Sequence, residues 1–113
     1  MNCRFVLDGS FEKEVKRLSK RYRSLKSDLQ SLLTELHANP QLGTDLGGGL
    51  RKIRMRIASK GKGKSGGARV ITFTVTAAVD DTEVNLLYIY DKAERNSITA
   101  KELDELLHKN GLK

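Results

Sequence analysis

The feature that most constrains the fold is the strict alternation in residues 50–57. Apolar residues at positions 53, 55 and 57 lie between cationic ones, and residues two apart point to the same face of a β-strand. We therefore predict a strand with one buried face and one positively charged face. The charged face is formed by Lys52, Arg54 and Arg56.

A loop and a returning strand follow this strand. Ser59–Gly67 is rich in glycine and lysine and has no apolar residue to bury, which predicts the loop of a long hairpin. Arg69–Val75 is apolar and β-branched, which predicts a central strand. The sequence Gly63–Ser65 is similar to the end of a phosphate-binding loop, but that motif requires glycine where Ala58 stands, so it fails.

Positive charge is concentrated in the same region. Residues 50–71 contain eight lysines and arginines, and no acidic residue occurs from 46 to 79, whereas the whole chain has a net charge of +7. This clustering indicates a polyanionic partner: nucleic acid, the ribosome or an acidic protein. The predicted RNA- or phosphate-binding residues are Arg51, Arg56, Lys60, Lys62 and Lys64, of which the loop lysines would grip RNA without sequence specificity.

The remaining elements complete an α+β fold. Arg4–Leu7 is a predicted strand, and apolar stripes predict two helices that form a hairpin, separated at Ser24 and ended by Pro40. Residues 41–49 are predicted as a loop, and Val84–Tyr90 as a buried strand. Thr99 and Glu102 form a capping box before a last helix. The predicted order is β-α-α-β-β-β-α, an antiparallel-rich sheet with the first strand at an edge and the helices on one face.

Length and composition favour one domain spanning residues 1–113. Apolar residues make up 38% of the chain, and no apolar run is long enough to span a membrane. The first ten residues lack the apolar core of a secretion signal, and Cys3 is the only cysteine. We therefore expect a cytoplasmic protein without a disulfide framework or membrane attachment.

Cleavage of RNA offers a chemistry for the basic strand. The RNA's own 2′-hydroxyl can attack the adjacent phosphate if a base, an acid and positive charge are present. His37 and His108 lie near helix ends, away from the strand, where histidines complement the helix dipole. Lys52 is a candidate acid or base because neighbouring cations disfavour its charged form, and Arg54 is a candidate phosphate clamp.

Several segments resemble the RelE/ParE superfamily of bacterial toxins, and are most similar to the HigB/RelE-like ribosome-dependent ribonucleases. The resemblance covers nearly the whole chain. It rests on the motifs Lys52–Arg54, Gly61–Ile71 and Tyr88–Glu94, together with Phe11, Leu18, Ser24–Leu25 and Asn39–Pro40.

This resemblance implies the toxin of a type II toxin–antitoxin system, a metal-independent mRNA endonuclease acting in the ribosomal A site. It assigns phosphate binding to Arg69 and a site role to Lys92. Tyr90 is a candidate for base stacking or proton donation. Two departures concern RelE itself: Ala93 and Thr99 stand where it has an arginine and a tyrosine.

The expected partners are a cognate antitoxin and the ribosome with its mRNA, and no cofactor or metal is expected. The free toxin is expected to be a monomer. Two alternatives stay open: a ParE-like inhibitor of DNA gyrase that is not a nuclease, and a non-catalytic basic nucleic-acid-binding module. Fold alone does not decide among them, because both branches of the superfamily share it.

Overall fold

A mixed five-stranded sheet forms the centre of the molecule. A computed structural model describes residues 2–113, apart from the side chains of Asn2 and Ala77. The strand order is β1-β5-β4-β3-β2, in which β1 is parallel to β5 and the other neighbours are antiparallel. These strands are β1 (Asn2–Leu7), β2 (Thr44–Gly47), β3 (Leu50–Met55), β4 (Ala68–Ala78) and β5 (Asp81–Asp91). The predicted α+β class, the central position of β4 and the edge position of β1 are confirmed.

Helices cover both faces of this sheet: α1 (Gly9–Arg21), α2 (Leu25–Ala38) and α3 (Ala100–Lys109). Leu18, Leu25 and Leu36 of α1 and α2 enter one core, whereas Leu103 and Leu107 of α3 enter a second core. The prediction that the helices share one face is therefore wrong for α3. The reason is that β4 and β5 are apolar on both sides, so each side needs a cover.

The two N-terminal helices match the predicted hairpin only in part. The break falls at Ser24, as predicted, since α1 ends at Arg21 and α2 begins at Leu25. However, α1 packs mainly along β5, and α2 contacts β3 and a 3-10 turn at Ala58–Lys60. Each helix therefore depends on the sheet as well as on its neighbouring helix.

Strand β2 lies in the segment that was predicted to be a loop, so the predicted order lacks one strand. All four of its residues are exposed, and no apolar alternation marks them as a strand. Pairing with β3 holds it in place, with Asp45 opposite Arg51. The turn between them needs glycine: Gly49 has a φ of 89°, and a Cβ there would lie 2.9 Å from the carbonyl oxygen of Thr74.

The hairpin of β3 and β4 closes tightly at the base of its loop. β3 ends at Met55, two residues before the predicted end, because the chain leaves the sheet at Arg56 and Ile57 to reach the 3-10 turn at Ala58–Lys60. A Cβ on Gly67 would lie 2.1 Å from the carbonyl oxygen of Met55, so only glycine fits. The predicted capping box of α3 is confirmed, with Thr99 and Glu102 bonding each other's backbone N–H at 3.1 Å. No helix within residues 2–113 is long and apolar enough to cross a membrane.

Candidate functional site

Strand register brings three predicted site residues together. Arg54 lies opposite Arg69 on β4, which in turn lies opposite Tyr90 on β5. Residues directly opposite each other in antiparallel strands have Cβ atoms about 4.5–5.5 Å apart. We call these three residues the arginine row. Lys52 lies one step along the same face of β3, opposite Ile71.

Arg69 is a buried positive charge without a carboxylate partner. It is 6% exposed, and its guanidinium donates to the carbonyl oxygens of Lys64 (3.1 Å), Ala68 (3.2 Å) and Ser65 (3.3 Å). Burial, followed by repulsion from Arg54, lowers the pKa of Arg69. In the part of the chain that the structure describes, no carboxylate oxygen lies within 4.0 Å of its guanidinium.

Tyr90 is 2% exposed, so its ring is not available for the base stacking considered from the sequence. Its hydroxyl is buried and has no hydrogen-bond partner among the described residues. Burial raises the pKa of this hydroxyl, and the positive charges of Arg69 and Arg95 act in the opposite direction. Arg95, which the sequence analysis did not single out, lies 5.6 Å from the ring centroid.

A cleft of about 260 Å³ adjoins the row. Three cations line it, and none of them forms an ion pair within residues 2–113. We call it the cationic cleft. Arg54, Met55 and Arg56 line it from β3 and the residue after it, Lys64 lines it from the hairpin loop, and α2 contributes Asp28, Ser31, Leu32 and Glu35. Glu35 was missed from the sequence because it belongs to no motif and precedes the basic strand by many residues.

Lys60 is largely buried, although the sequence places it in the loop predicted to grip RNA. Its side chain is 9% exposed, and its ammonium lies 2.7 Å from Oδ1 of Asp91 and 2.9 Å from the carbonyl oxygen of Gly66. A cation that a buried carboxylate neutralises cannot also attract phosphate. The structure therefore corrects the prediction that Lys60 grips RNA, whereas Lys62 and Lys64 are exposed.

Arg51 and Lys92 lie away from the centre of the row. Alternation along β3 places Arg51 on the same face as Ile53, and its guanidinium donates to the carbonyl oxygen of Gly43 at 3.3 Å. The ammonium of Lys92 donates to the carbonyl and side-chain oxygens of Asn96, both at 2.8 Å. Lys92 nevertheless adjoins the hairpin loop, because its backbone N–H donates to the carbonyl oxygen of Gly67 at 3.0 Å.

Neither histidine lines the cationic cleft, in agreement with their predicted helix-end positions. The His37 ring lies 4.5 Å from that of Phe5. Nδ1 of His108 lies 2.9 Å from the carbonyl oxygen of Asp104 within α3. Acid and base groups for chemistry in this cleft must therefore come from other residue types.

One protein-family model matches most of this chain. A family model described as the RelE toxin of the RelE/RelB toxin–antitoxin system matches residues 11–110. The match includes α1 from its third residue onward, α2, the arginine row, the cationic cleft and α3. Because it extends over most of the sequence, it also confirms the predicted membership of the RelE/ParE superfamily. The chain belongs to the RelE toxin family and is the toxin component of a toxin–antitoxin system.

Proposed function

We propose that this toxin is a ribosome-dependent endoribonuclease that cuts messenger RNA in the ribosomal A site. The observation that carries the proposal is the convergence of Arg54, Arg56 and Lys64 on one cleft, without ion pairs and beside the buried charge of Arg69. Unpaired cations in a cleft are suited to phosphate oxygens. Because translating ribosomes are the target, we also propose that the toxin acts in the cytoplasm.

The proposed reaction is a transesterification within the RNA. The 2′-oxygen forms a new bond to the adjacent phosphorus as the bond to the 5′-oxygen of the next nucleotide breaks. A base takes the proton from the 2′-hydroxyl and an acid gives one to the leaving 5′-oxygen, which leaves a 2′,3′-cyclic phosphate and a 5′-hydroxyl. Negative charge builds up on the phosphorane oxygens, so fixed cations lower the barrier.

Residue types in and beside the cationic cleft support specific roles. We assign the base to Glu35, because it lines the cleft and its carboxylate oxygens can accept a proton. We assign the acid to Lys52, which lies outside the lining of the cleft, two residues before Arg54 on the face of β3 that α3 covers. Arg54, Arg56 and Lys64 would contact the phosphate, while Lys62 and Lys92 add positive charge around the RNA.

Primer extension on transcripts from cells induced for the toxin tests the main claim. Wild type and Arg4→Ala should produce cuts at codon positions, since Arg4 lies at the opposite edge of the sheet and pairs with Asp81 and Glu83. The double variant Arg54→Ala/Arg56→Ala should produce none. If wild type leaves transcripts intact and arrests DNA replication instead, the gyrase alternative replaces this proposal.

The base assignment has its own test. Glu35→Gln keeps the shape of the side chain but cannot accept a proton, so we expect cleavage by ribosome-bound toxin to fall about 10²–10⁴-fold. Glu105→Gln, which alters an exposed carboxylate on α3, is the matched control and should cleave normally. Equal cleavage by the two variants would remove Glu35 from the mechanism and leave the phosphate-binding residues unaffected.

An apolar groove offers a place for the antitoxin. It measures about 660 Å³ and lies between α1 and α2, with Leu7 and Leu86 from the sheet in its lining. Its floor is leucine-rich, and its rim carries Lys16, Lys20, Arg23 and Lys26 against a single acid, Glu12. We propose that an amphipathic helix of the antitoxin, apolar on one side and acidic at its flanks, occupies this groove.

Neutralisation by the cognate antitoxin tests the docking site. Leu33→Asp places a charge on the half-buried groove wall, so this variant should remain toxic and escape neutralisation. Val75→Asp changes an apolar residue that is 39% exposed on β4, outside the groove, and should still be neutralised. If the antitoxin neutralises both variants equally, it binds elsewhere on the toxin.

A further inference from the structure

A network of polar and charged side chains lies on the face of β5 opposite the arginine row. Asp91 is fully buried and accepts hydrogen bonds from the Tyr22 hydroxyl (2.5 Å), the Lys60 ammonium (2.7 Å) and the backbone N–H of Ala93 (3.0 Å). The ammonium also lies 5.3 Å from the centroid of the Tyr22 ring. We call Tyr22, Lys60 and Asp91 the Asp91 network.

Short contacts connect this network to the arginine row. The Lys60 ammonium donates a hydrogen bond to the carbonyl oxygen of Gly66 at 2.9 Å. The two residues immediately before Gly66, Lys64 and Ser65, supply carbonyl oxygens to the guanidinium of Arg69. On the strands, Asp91 lies opposite Ala68, one position from the pair of Arg69 and Tyr90. A shift of the Gly66 end of the loop would therefore move the acceptors that orient Arg69.

We propose that the Asp91 network is a positioning device for the arginine row. It anchors the end of the hairpin loop, and the anchored loop holds the Arg69 guanidinium in one orientation opposite Arg54, which lines the cationic cleft. A buried ion pair whose remaining positions are hydrogen-bonded has one favoured geometry, which suits this role. None of the three network residues lines the cationic cleft, so they would act through Arg69. For its effect on cleavage, the inference rests on the proposed ribonuclease function.

The double variant Lys60→Met/Asp91→Asn removes the ion pair without changing the net charge. We expect its cleavage rate at saturating ribosome concentration to fall about 10- to 100-fold, since misplacement by about 1 Å costs that order of rate. Its affinity for ribosomes should change less than about 2-fold, because the phosphate-binding cations remain. The matched control Arg4→Met/Glu83→Gln removes an exposed ion pair of β1 and β5 and should retain both rate and affinity.

A measurement on the free toxin separates this inference from the proposed function. In wild type, the three hydrogen bonds of the Arg69 guanidinium should slow its rotation, which side-chain ¹⁵N NMR spectra detect. The double variant should show fast rotation while its backbone spectrum remains folded. Slow rotation in the variant would overturn the positioning role, whether or not wild type cleaves RNA. Absence of cleavage by wild type would overturn only the ribonuclease proposal.

Tyr22→Phe provides a second variant if the double variant does not fold. It removes one hydroxyl and preserves the ring, so rotation of the Arg69 guanidinium should quicken by a smaller factor and cleavage should fall by a few-fold at unchanged ribosome affinity. An NMR spectrum of Arg69 identical to wild type would contradict the inference. A loss of affinity with an unchanged saturating rate would also contradict it, because that result would mean that the network acts on binding alone.

Discussion

The Asp91 network and the arginine row lie on opposite faces of the sheet, with Asp91 next to Tyr90 on β5, yet their positive charges are in opposite situations. Lys60 is paired with a buried carboxylate, whereas Arg54 and Arg69 face each other across the strands with no such partner in the described chain. A neutralised cation contributes to structure, while an unpaired one keeps its attraction for phosphate. The presence of one carboxylate therefore separates a structural cation from a candidate binding cation, although both arise from the same basic segment.

The largest effect should follow from removing the carboxylate. Asp91→Ala leaves the Lys60 ammonium buried without its counter-ion, which typically costs about 3–5 kcal/mol in the free energy of unfolding. Asp45→Ala, in which the carboxylate is 67% exposed, should cost less than about 1 kcal/mol. Urea denaturation followed by circular dichroism measures both. Similar losses in the two variants would show that the Asp91 network is not a buried ion pair in solution.

Removing the charge of Arg69 from the arginine row should affect cleavage rather than stability, unlike removal of the Asp91 carboxylate. Arg69→Met removes a buried charge that only carbonyl oxygens compensate, so its folded state should be at least as stable as that of wild type. Cleavage of ribosome-bound mRNA should nevertheless fall about 10²–10³-fold, the usual effect of removing one group that stabilises developing charge. Unfolding and cleavage assays on the same preparation test this. A strongly destabilised variant would mean that Arg69 is as structural as Lys60.

Acid should weaken the Asp91 network before it affects the row. Burial raises the pKa of the Asp91 carboxyl, but the hydrogen bonds from Lys60, Tyr22 and Ala93 outweigh burial and lower it overall. Because the folded pKa lies below the unfolded one, the contribution to stability is complete above the unfolded value, about 3.9, and is lost as the pH falls through the folded value. Asp91→Asn should therefore lose less stability than wild type between about pH 4 and pH 2.

Urea midpoints across that pH range provide the measurement. Glu94, Glu102 and Asp104 also have lowered pKa values and remain in the variant. Asp91→Asn should therefore still lose stability in acid, but less than wild type. Identical pH profiles for wild type and Asp91→Asn would show that the carboxyl is not stabilised by the network.

The smallest effect concerns the repulsion within the row. Arg54→Glu converts two like charges on directly opposite strand positions into an ion pair, which should raise the free energy of unfolding by about 0.2–1 kcal/mol. Phosphate binding in the cationic cleft should be lost at the same time. Arg54→Gln, which removes the charge without adding a carboxylate, should gain less. A destabilised Arg54→Glu would contradict the close approach of Arg54 and Arg69 that the strand register implies.

Much of the fold could be predicted from local patterns. The alternation in residues 50–57 and the β-branched return strand indicated the hairpin, and residue types alone indicated the capping box of Thr99 and Glu102. Strand β2 was missed because its residues are all exposed and only its pairing with β3 defines it. The side occupied by α3 was also missed, since an apolar stripe does not say which face of a sheet it will cover.

By itself, the sequence determined that this chain carries a cationic hairpin in an α+β fold, and that it resembles a toxin superfamily whose membership is now confirmed. These properties follow from periodicity, charge and motif order, which are local along the chain. The tertiary structure alone decided which cations are neutralised. Lys60 and Asp91 are 31 positions apart, and the ion pair between them exists only because the register of β3, β4 and β5 brings the loop base and the strand end within hydrogen-bond distance.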